Sequence, residues 1–343
     1  MSLKKIKEAA LRRWVDNLLA TTRVVGVKAK DERFAFGLLQ SASELRLDYD
    51  VTVIPPNKVC LQPPREALLR FVGHHYESVL EDEPFVLFGV HPYDMVAISQ
   101  MDKLFARDNY DSHYMARRRA ATIVVSDVQR ASENAFAGCM GTAVVQEGFD
   151  VLITRIRRQY LVDARTEKGE ALAETLAGAP DATQEDLAAR ERVWERNRRQ
   201  LRKHRLKARP DELPGLLGAA AAYGHPVWEE KARLCFSCGS CNVVCPTCYC
   251  FDVQDDVGWD LQSGERFRAW DGCMLEKFAR VAGGHNFRGQ RFERYRHRYY
   301  RKGKYVPDKI GECACVGCGR CITACVTKIA NPVTVFNRLW EDR

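Results

Sequence analysis

Two short cysteine-rich segments carry the clearest chemistry in the sequence. The first is CFSCGSCNVVC, residues 235–245, and the second is CVGCGRCITAC, residues 315–325. Both have the spacing CxxCxxCxxxC of bacterial ferredoxins, in which three thiolates of one segment bind one 4Fe-4S cluster and the fourth binds the other cluster. The pattern predicts a first cluster site made of Cys235, Cys238, Cys241 and Cys325, and a second made of Cys315, Cys318, Cys321 and Cys245.

The residues around these cysteines fit the same interpretation. A single CxxC pair would be equally consistent with a zinc knuckle or a redox-active dithiol, but two complete four-cysteine segments favour iron–sulfur clusters. Gly239, Gly317 and Gly319 stand where the backbone must curl around a cluster. Pro246 follows the first segment, as is typical of the ferredoxin pattern, whereas Val326 occupies the matching position of the second, which is a mild departure.

The insert between the two segments contains further cysteines. Cys248, Cys250 and Cys273 are either buried thiols beside the clusters or ligands of an extra metal site. Such a site would take its fourth ligand from a partner chain or from one of three residues, Cys313, Cys139 or His285. A third cluster is the less favoured alternative, and His285 is more simply structural.

Length and composition are those of a soluble protein with two or three domains. The 14 cysteines of the 343 residues cluster at metal-binding spacings, which argues against a disulfide framework. The N-terminal sequence MSLKKIKEAALRRW is too charged for a signal peptide, and no apolar stretch is long enough to span a membrane. We therefore expect a cytoplasmic protein without a membrane partner.

The net charge of +8 is concentrated in two basic stretches. Residues 190–209 contain ten Lys or Arg and two Glu, and residues 288–304 contain eight and one. The simplest interpretation of both is a solvated helix face. Aromatic residues within the second stretch would also suit nucleic acid, but neutralisation of nearby negative clusters or binding of an acidic partner is preferred.

Hydrophobic patterns predict an α/β fold for the N-terminal half. Apolar residues spaced by three and four indicate a helix over residues 4–20. Buried strands are predicted at 84–90, 121–128 and 149–156, with a helix capped by Asp94 after the first. Strand, helix and strand in this order indicate a parallel sheet. No glycine-rich dinucleotide motif accompanies it.

The C-terminal half reads as mainly helical. Residues 164–217 are rich in Ala, Glu and Arg, and a helix beginning at Trp228 leads into Cys235. The two segments are separated by residues 246–314, far more than a minimal ferredoxin uses. The predicted fold class is α+β: an N-terminal α/β domain (1–163), a helical connector (164–225) and a mainly helical, ferredoxin-like two-cluster domain with a long insert (226–343).

Several motifs resemble the family of 4Fe-4S dicluster proteins that includes the beta subunit of sulfhydrogenase-type NiFe hydrogenases and the iron–sulfur subunit of anaerobic sulfite reductase. They cover most of the chain, and the hydrogenase protein is the more similar of the two. The motifs are LRLDY, IPPNK, PPREALLRF, PFVLFGVHPYD, HPVWEEKARLC, CNVVCPTCYCFDVQD, WDGCM and VAGGHNFR.

The resemblance implies a protein that passes single electrons between two neighbouring subunits. One would be a catalytic subunit, and the other a flavin subunit that uses a nicotinamide nucleotide. The catalytic partner would be a NiFe hydrogenase or, alternatively, a sirohaem sulfite reductase, and no independent active site is expected on this chain. Two further hypotheses rank lower. One is an enzyme with its substrate at Cys248, Cys250 and Cys273; the other is a redox sensor that binds nucleic acid.

The sequence departs from the family pattern in its N-terminal domain. The family carries four cysteines there, at the positions of Tyr93, Asp127, Ala135 and Ala137. If those thiols hold a cluster in relatives, this chain has lost it. Cys139 lies nearby in the sequence but cannot replace four ligands by itself.

Overall fold

The strands of the described residues form two sheets. The computed structural model describes residues 3–176 and 178–343. The strands are β1 (Leu3–Lys7), β2 (Arg23–Lys30), β3 (Arg33–Leu38), β4 (Arg65–Val72), β5 (His75–Ser78), β6 (Phe85–Val90), β7 (Ala121–Ser126), β8 (Val151–Ile156), β9 (Gln159–Ala164), β10 (Phe251–Val257) and β11 (Ser263–Trp270). Within these described residues, the larger sheet has the order β1-β9-β8-β7-β6-β2-β3 and the smaller one β10-β11-β4-β5.

Helices cover both faces of the larger sheet and are the main regular structure of the C-terminal half. They are α1 (Glu8–Leu19), α2 (Pro56–Cys60), α3 (Pro92–Phe105), α4 (Ser112–Ala120), α5 (Ala137–Met140), α6 (Glu167–Ala173), α7 (Gln184–Gln200), α8 (Leu213–Gly218), α9 (Ala220–Tyr223), α10 (Val227–Ala232), α11 (Ser240–Val243), α12 (Arg291–Tyr300), α13 (Pro307–Ile310), α14 (Arg320–Ala324) and α15 (Pro332–Glu341). One π-helical turn, Arg301–Tyr305, continues α12.

The predicted parallel sheet is confirmed. Strands β2, β6, β7 and β8 run parallel, and the neighbouring strands β3 and β9 are antiparallel to them. Every residue of β6 is buried, as is usual for a strand that helices cover on both faces. Apolar residues of α1, such as Trp14, pack against one face. Residues of α3, such as Ile98, pack against the other.

The smaller sheet joins the two halves of the chain. Strands β4 and β5 come from the N-terminal half, whereas β10 and β11 come from the insert between the cysteine segments. At their contact the buried carboxylate of Glu66 on β4 pairs with Arg268 on β11 and with Arg117 on α4. The insert is therefore partly a β-hairpin anchored on the N-terminal half. The predicted fold class, an N-terminal sheet domain followed by a helical C-terminal region, is confirmed, and the division at residues 163 and 225 stays a prediction.

Two local predictions were wrong. The first residues of the predicted helix over 4–20 form strand β1, because they pair with β9 along the sheet edge, and the helix begins at Glu8. Helix α3 is capped at His91 and not at Asp94. Asp94 lies inside the first turn, where its buried carboxylate binds Arg320. A residue with a charged partner elsewhere in the fold is not free to cap its own helix.

Candidate metal centre

A cavity lies between the two cysteine segments. Its wall contains Cys235, Cys238 and Cys241 from the first segment and Cys325 from the second. Apolar side chains such as Met274 complete the wall. The structure thus places the predicted first cluster site around one cavity, including the cysteine that comes from the distant segment.

The local backbone brings these cysteines inward. Helix α10 ends just before Cys235, and the chain then reverses through Ser237 and Gly239, both of which have a positive φ angle. Gly239 has a φ of 72° and precedes α11, which carries Cys241. Glycine suits this turn because residues with a side chain rarely adopt such angles.

The second segment is fixed against the N-terminal half. At Gly317 a Cβ atom would lie 2.6 Å from the backbone nitrogen of Ala137, and at Gly319 one would lie 2.3 Å from the carbonyl oxygen of Asn134. The amide of Phe136 also donates to the carbonyl of Gly317 at 2.7 Å. Only glycine permits this close contact, which places the second segment directly on the loop before α5.

The four cysteines of the predicted second site lie near one another. Burial raises the pKa of Cys315, Cys318 and Cys321, and the negative charge of the Cys245 thiolate raises each of them further. The backbone geometry agrees, because the hydroxyl of Thr247, two residues after Cys245, donates to the carbonyl oxygen of Ala314, the residue before Cys315. Cys245, from the first segment, therefore lies close to the start of the second.

Buried cations on α12 and its π-helical extension face both sites. Arg294, Arg298 and Lys302 recur every four residues and are 3%, 2% and 5% exposed. Burial alone would lower the pKa of Arg298, but the negative charges of Cys241 and Cys321 outweigh it and raise the pKa. Because these two cysteines belong to different sites, Arg298 lies between the sites.

The environment of Arg298 supplies a test of whether an iron–sulfur cluster fits. Its Nη2 atom lies 3.5 Å from the carbonyl oxygen of Cys241. Its Nε and Nη1 atoms have no hydrogen-bond partner within residues 3–176 and 178–343. A buried guanidinium with unpaired donors is costly unless negative charge lies beside it. Thiolate-bound clusters supply that charge, so the residues present fit the two predicted clusters.

The cysteines are not arranged for a single metal ion. Across the part of the chain that the structure describes, no group of three or more His, Cys, Asp or Glu residues could hold one ion. A zinc ion draws its sulfur ligands together because each Zn–S bond is only about 2.3 Å long. In a 4Fe-4S cluster each thiolate binds a different iron, so the sulfurs stand farther apart. The described residues thus offer no ready-made site for one zinc ion.

Cys248 lies beside the second site, and Cys273 lies close to Cys248. The side-chain amide of Asn242 donates to the sulfur atoms of Cys248 and Cys273, at 3.6 and 3.5 Å. The Cys248 thiol also hydrogen-bonds Cys245, which lowers the pKa of Cys245. For Cys248 and Cys273 these contacts favour the interpretation of buried thiols packed beside the clusters, whereas Cys250 is half-buried.

The residues considered as a fourth ligand of an extra metal site have other contacts. The thiol of Cys139 contacts the carbonyl of His204 at 3.4 Å, and the thiol of Cys313 contacts the carbonyl of Lys302 at the same distance. The ring of His285 packs edge-on against Phe287. The extra site therefore gains no support from these three residues.

Contacts between the cysteine segments and the N-terminal half carried no recognisable signal in the sequence. Arg320, within the second cysteine segment, binds both oxygens of Asp94 at 2.5 and 2.7 Å, and its Nε donates to the carbonyl of Thr52 at 2.7 Å. Asn57 on α2 donates to the carbonyl of Pro246 at 2.7 Å. Neighbouring Lys58 is buried near Cys248. The IPPNK motif is thus part of the wall around the cysteines.

The four positions at which the resemblance implies additional cysteines in relatives are buried. Tyr93, Ala135 and Ala137 pack in one apolar cluster with Val316 and Cys318. The Tyr93 hydroxyl and the Nδ1 atom of the buried His91 ring are 2.6 Å apart. The fourth position, Asp127, accepts hydrogen bonds from Thr154 and Trp194. The space next to the second cluster site is therefore filled by packed side chains in this protein.

Comparisons with known proteins identify the class of the C-terminal region and the family of the whole chain. Residues 234–329 match the model of the 4Fe-4S dicluster domain, so the C-terminal region is a domain of this class. The sulfhydrogenase 2 subunit beta of Pyrococcus furiosus is 34% identical to the chain over 346 residues, which cover 99% of each protein. The chain belongs to the same family of iron–sulfur electron-transfer subunits, and the predicted resemblance is confirmed. No helix among the described residues is long and apolar enough to cross a membrane.

Proposed function

We propose that the protein is the electron-transfer subunit of a multi-subunit NiFe hydrogenase. It would pass single electrons between the catalytic subunit of the complex and a flavin subunit that uses a nicotinamide nucleotide. The observation that carries the proposal is the cavity shared by Cys235, Cys238, Cys241 and Cys325 in a chain similar over its full length to a sulfhydrogenase beta subunit. The location would be cytoplasmic.

Eight cysteines would hold two 4Fe-4S clusters. The first site takes Cys235, Cys238, Cys241 and Cys325, and the second takes Cys315, Cys318, Cys321 and Cys245. The clusters, when bound, supply reversible one-electron oxidation and reduction. The two sites share residues of both segments, so they must lie side by side.

The chain's own residues set the environment of that chemistry. Met274, Tyr295 and Ile329 line the first cavity, and apolar walls reduce the access of water. The charges of Arg298 and Lys302 oppose the negative charge of the thiolates. The Lys302 ammonium is held 2.8 Å from the carbonyl oxygen of Thr247 and so is fixed beside Cys245. Positive charge held near a cluster favours the more negative, reduced state.

The second basic stretch, residues 288–304, is placed in a way that argues against nucleic-acid binding. Three of its cations, Arg294, Arg298 and Lys302, are buried near the cysteines and cannot reach a phosphate backbone. This supports neutralisation of the clusters over nucleic-acid binding. The hypothesis of an independent active site at Cys248, Cys250 and Cys273 gains no support from Cys248 and Cys273, because Asn242 contacts both of these thiols and Cys248 also bonds the cluster ligand Cys245.

The proposal is tested by isolating the protein from its native source, without overexpression, under anaerobic conditions. We expect a nickel-containing protein and a flavoprotein to copurify with it in stoichiometric amounts. Hydrogen should then reduce the clusters of the intact complex, as followed by electron paramagnetic resonance. Copurification of sirohaem in place of nickel would replace the proposal with the alternative, a subunit of an anaerobic sulfite reductase.

A further inference from the structure

The first cluster site opens onto the protein surface. Cys238 is exposed, although the other three cysteines of the site are buried or half-buried. Phe236 and Val326 line the same cavity and are 70% and 74% exposed. We call Phe236, Cys238 and Val326 the Cys238 face. It places one apolar side chain from the first cysteine segment, and one directly after the second, beside the most exposed thiol of the two sites.

The second site, by contrast, is covered by the N-terminal half. Gly317 and Gly319 contact the backbone of residues 134–137 so closely that a Cβ atom would clash. Cys318 and Cys321 are buried. Of the two cluster sites, the first is therefore the one that a second protein could approach directly.

Two basic side chains lie at the edge of the Cys238 face. Arg291 donates to the carbonyl oxygen of Cys235 at 3.4 Å, and Lys328 donates to that of Thr323 at 3.2 Å. Both side chains are exposed, and both of these acceptors are neutral backbone groups. Their positive charges are thus available to an incoming protein. An apolar centre with a charged rim is the usual anatomy of a protein interface.

We propose that the Cys238 face is the docking surface of an acidic partner protein that carries its own one-electron centre. The inference rests on the proposed function and adds the place and the chemistry of the contact. Phe236 and Val326 would bury against an apolar patch of the partner, close to its redox centre. Arg291 and Lys328 would face carboxylates around that patch, which speeds encounter and fixes orientation.

The test measures electron transfer into the full-length chain loaded with its clusters. An acidic bacterial ferredoxin, reduced in advance, serves as the protein donor, and dithionite serves as a small donor that needs no docking. We expect Phe236→Ala to slow reduction by the ferredoxin about tenfold, as for an interface hot spot. The double variant Arg291→Glu/Lys328→Glu should slow it at least as much and remove its salt dependence. Reduction by dithionite and the iron content are measured for every variant, and rates with the ferredoxin are compared at equal iron content, so that a damaged cluster is not counted as lost docking.

Two control variants locate the effect. Trp259→Ala removes an exposed aromatic side chain at the tip of the β10–β11 hairpin, and Arg13→Glu reverses an exposed charge on α1. Neither should alter transfer from the ferredoxin. The inference is overturned if Phe236→Ala and the double variant accept electrons at the wild-type rate, or if Trp259→Ala is the variant that slows. A wild-type protein whose clusters neither donor reduces would overturn the proposed function itself.

Discussion

Replacement of Arg298 by methionine should lower the reduction potential of the clusters. The guanidinium is 2% exposed and lies 3.5 Å from the carbonyl oxygen of Cys241. The thiolates of Cys241 and Cys321, one from each site, both act on it. Reduction adds one negative charge to a cluster, so loss of this cation destabilises the reduced state more than the oxidised one. Arg298→Met keeps most of the side-chain volume and removes the charge.

The size of the shift follows from Coulomb's law. With an effective dielectric constant of about 20 and a charge separation on the order of 8 Å, two unit charges interact by about 2 kcal/mol. A factor of ten in a one-electron equilibrium corresponds to about 59 mV and about 1.4 kcal/mol, so the expected shift is about 90 mV toward more negative potential. The burial of Arg298 limits screening by solvent and salt.

The assay is an anaerobic redox titration followed by electron paramagnetic resonance. Arg298→Lys retains the charge, so its reduction potential should differ from that of wild type by only a small fraction of the shift expected for Arg298→Met. Arg296 lies on the same helix, but its Nη1 donates to the carbonyl of Tyr223 at 3.0 Å, away from the cysteines. Arg296→Met should therefore change the reduction potential little. Iron is determined in every sample so that the loss of a cluster is not mistaken for a shift. An unchanged or higher potential in Arg298→Met, with full iron content, would refute the reasoning.

Three further predictions concern ligand exchange, stability and pH. Cys325→Ala should damage the cluster assembled mainly from residues 235–241, and an intact spectrum of that cluster would show that the proposed pairing is wrong. Asp94→Ala leaves the buried Arg320 without its carboxylate and should cost about 3–5 kcal/mol of unfolding free energy, measured by denaturant titration, whereas Asp94→Leu with Arg320→Met should recover much of it. Burial raises the pKa of Asp127 to about 6 in the folded protein. The folded state therefore binds the carboxyl proton more tightly than the unfolded state does. The resulting stabilisation is fully present below the pKa of an unfolded aspartate and is lost as pH rises through about 6. The melting temperature of Asp127→Asn should therefore rise relative to wild type between pH 5 and pH 7, and a constant difference would contradict the assignment.

The sequence predicted those features of the fold that depend on local patterns. Strand β6 is a continuous apolar run in the sequence, and it lies in the centre of the parallel sheet with all its residues buried. The cysteine spacing predicted the four cysteines that line the first cavity. Three of them lie within seven residues of one another, and the ferredoxin pattern itself takes the fourth from the other segment.

Long-range contacts could not be predicted in the same way. The basic stretch at 288–304 predicts a solvent-exposed helix face, yet Arg298 and Lys302 are buried. Their burial is favourable because cysteine thiolates lie beside the helix. Asp94 has the sequence context of a helix cap, but Arg320 lies 226 residues further along the chain and no local pattern links the two. The pairing of β4 with β11 is equally non-local.

The most direct test of the two-cluster assignment is the iron and acid-labile sulfide content of the full chain, prepared anaerobically and quantified together with its paramagnetic resonance spectrum. Two 4Fe-4S clusters predict about eight irons and eight sulfides per chain, and a signal on reduction that integrates to about two spins. Zinc in place of iron, or about four irons with a single cluster signal, would contradict the assignment of two clusters to these cysteines.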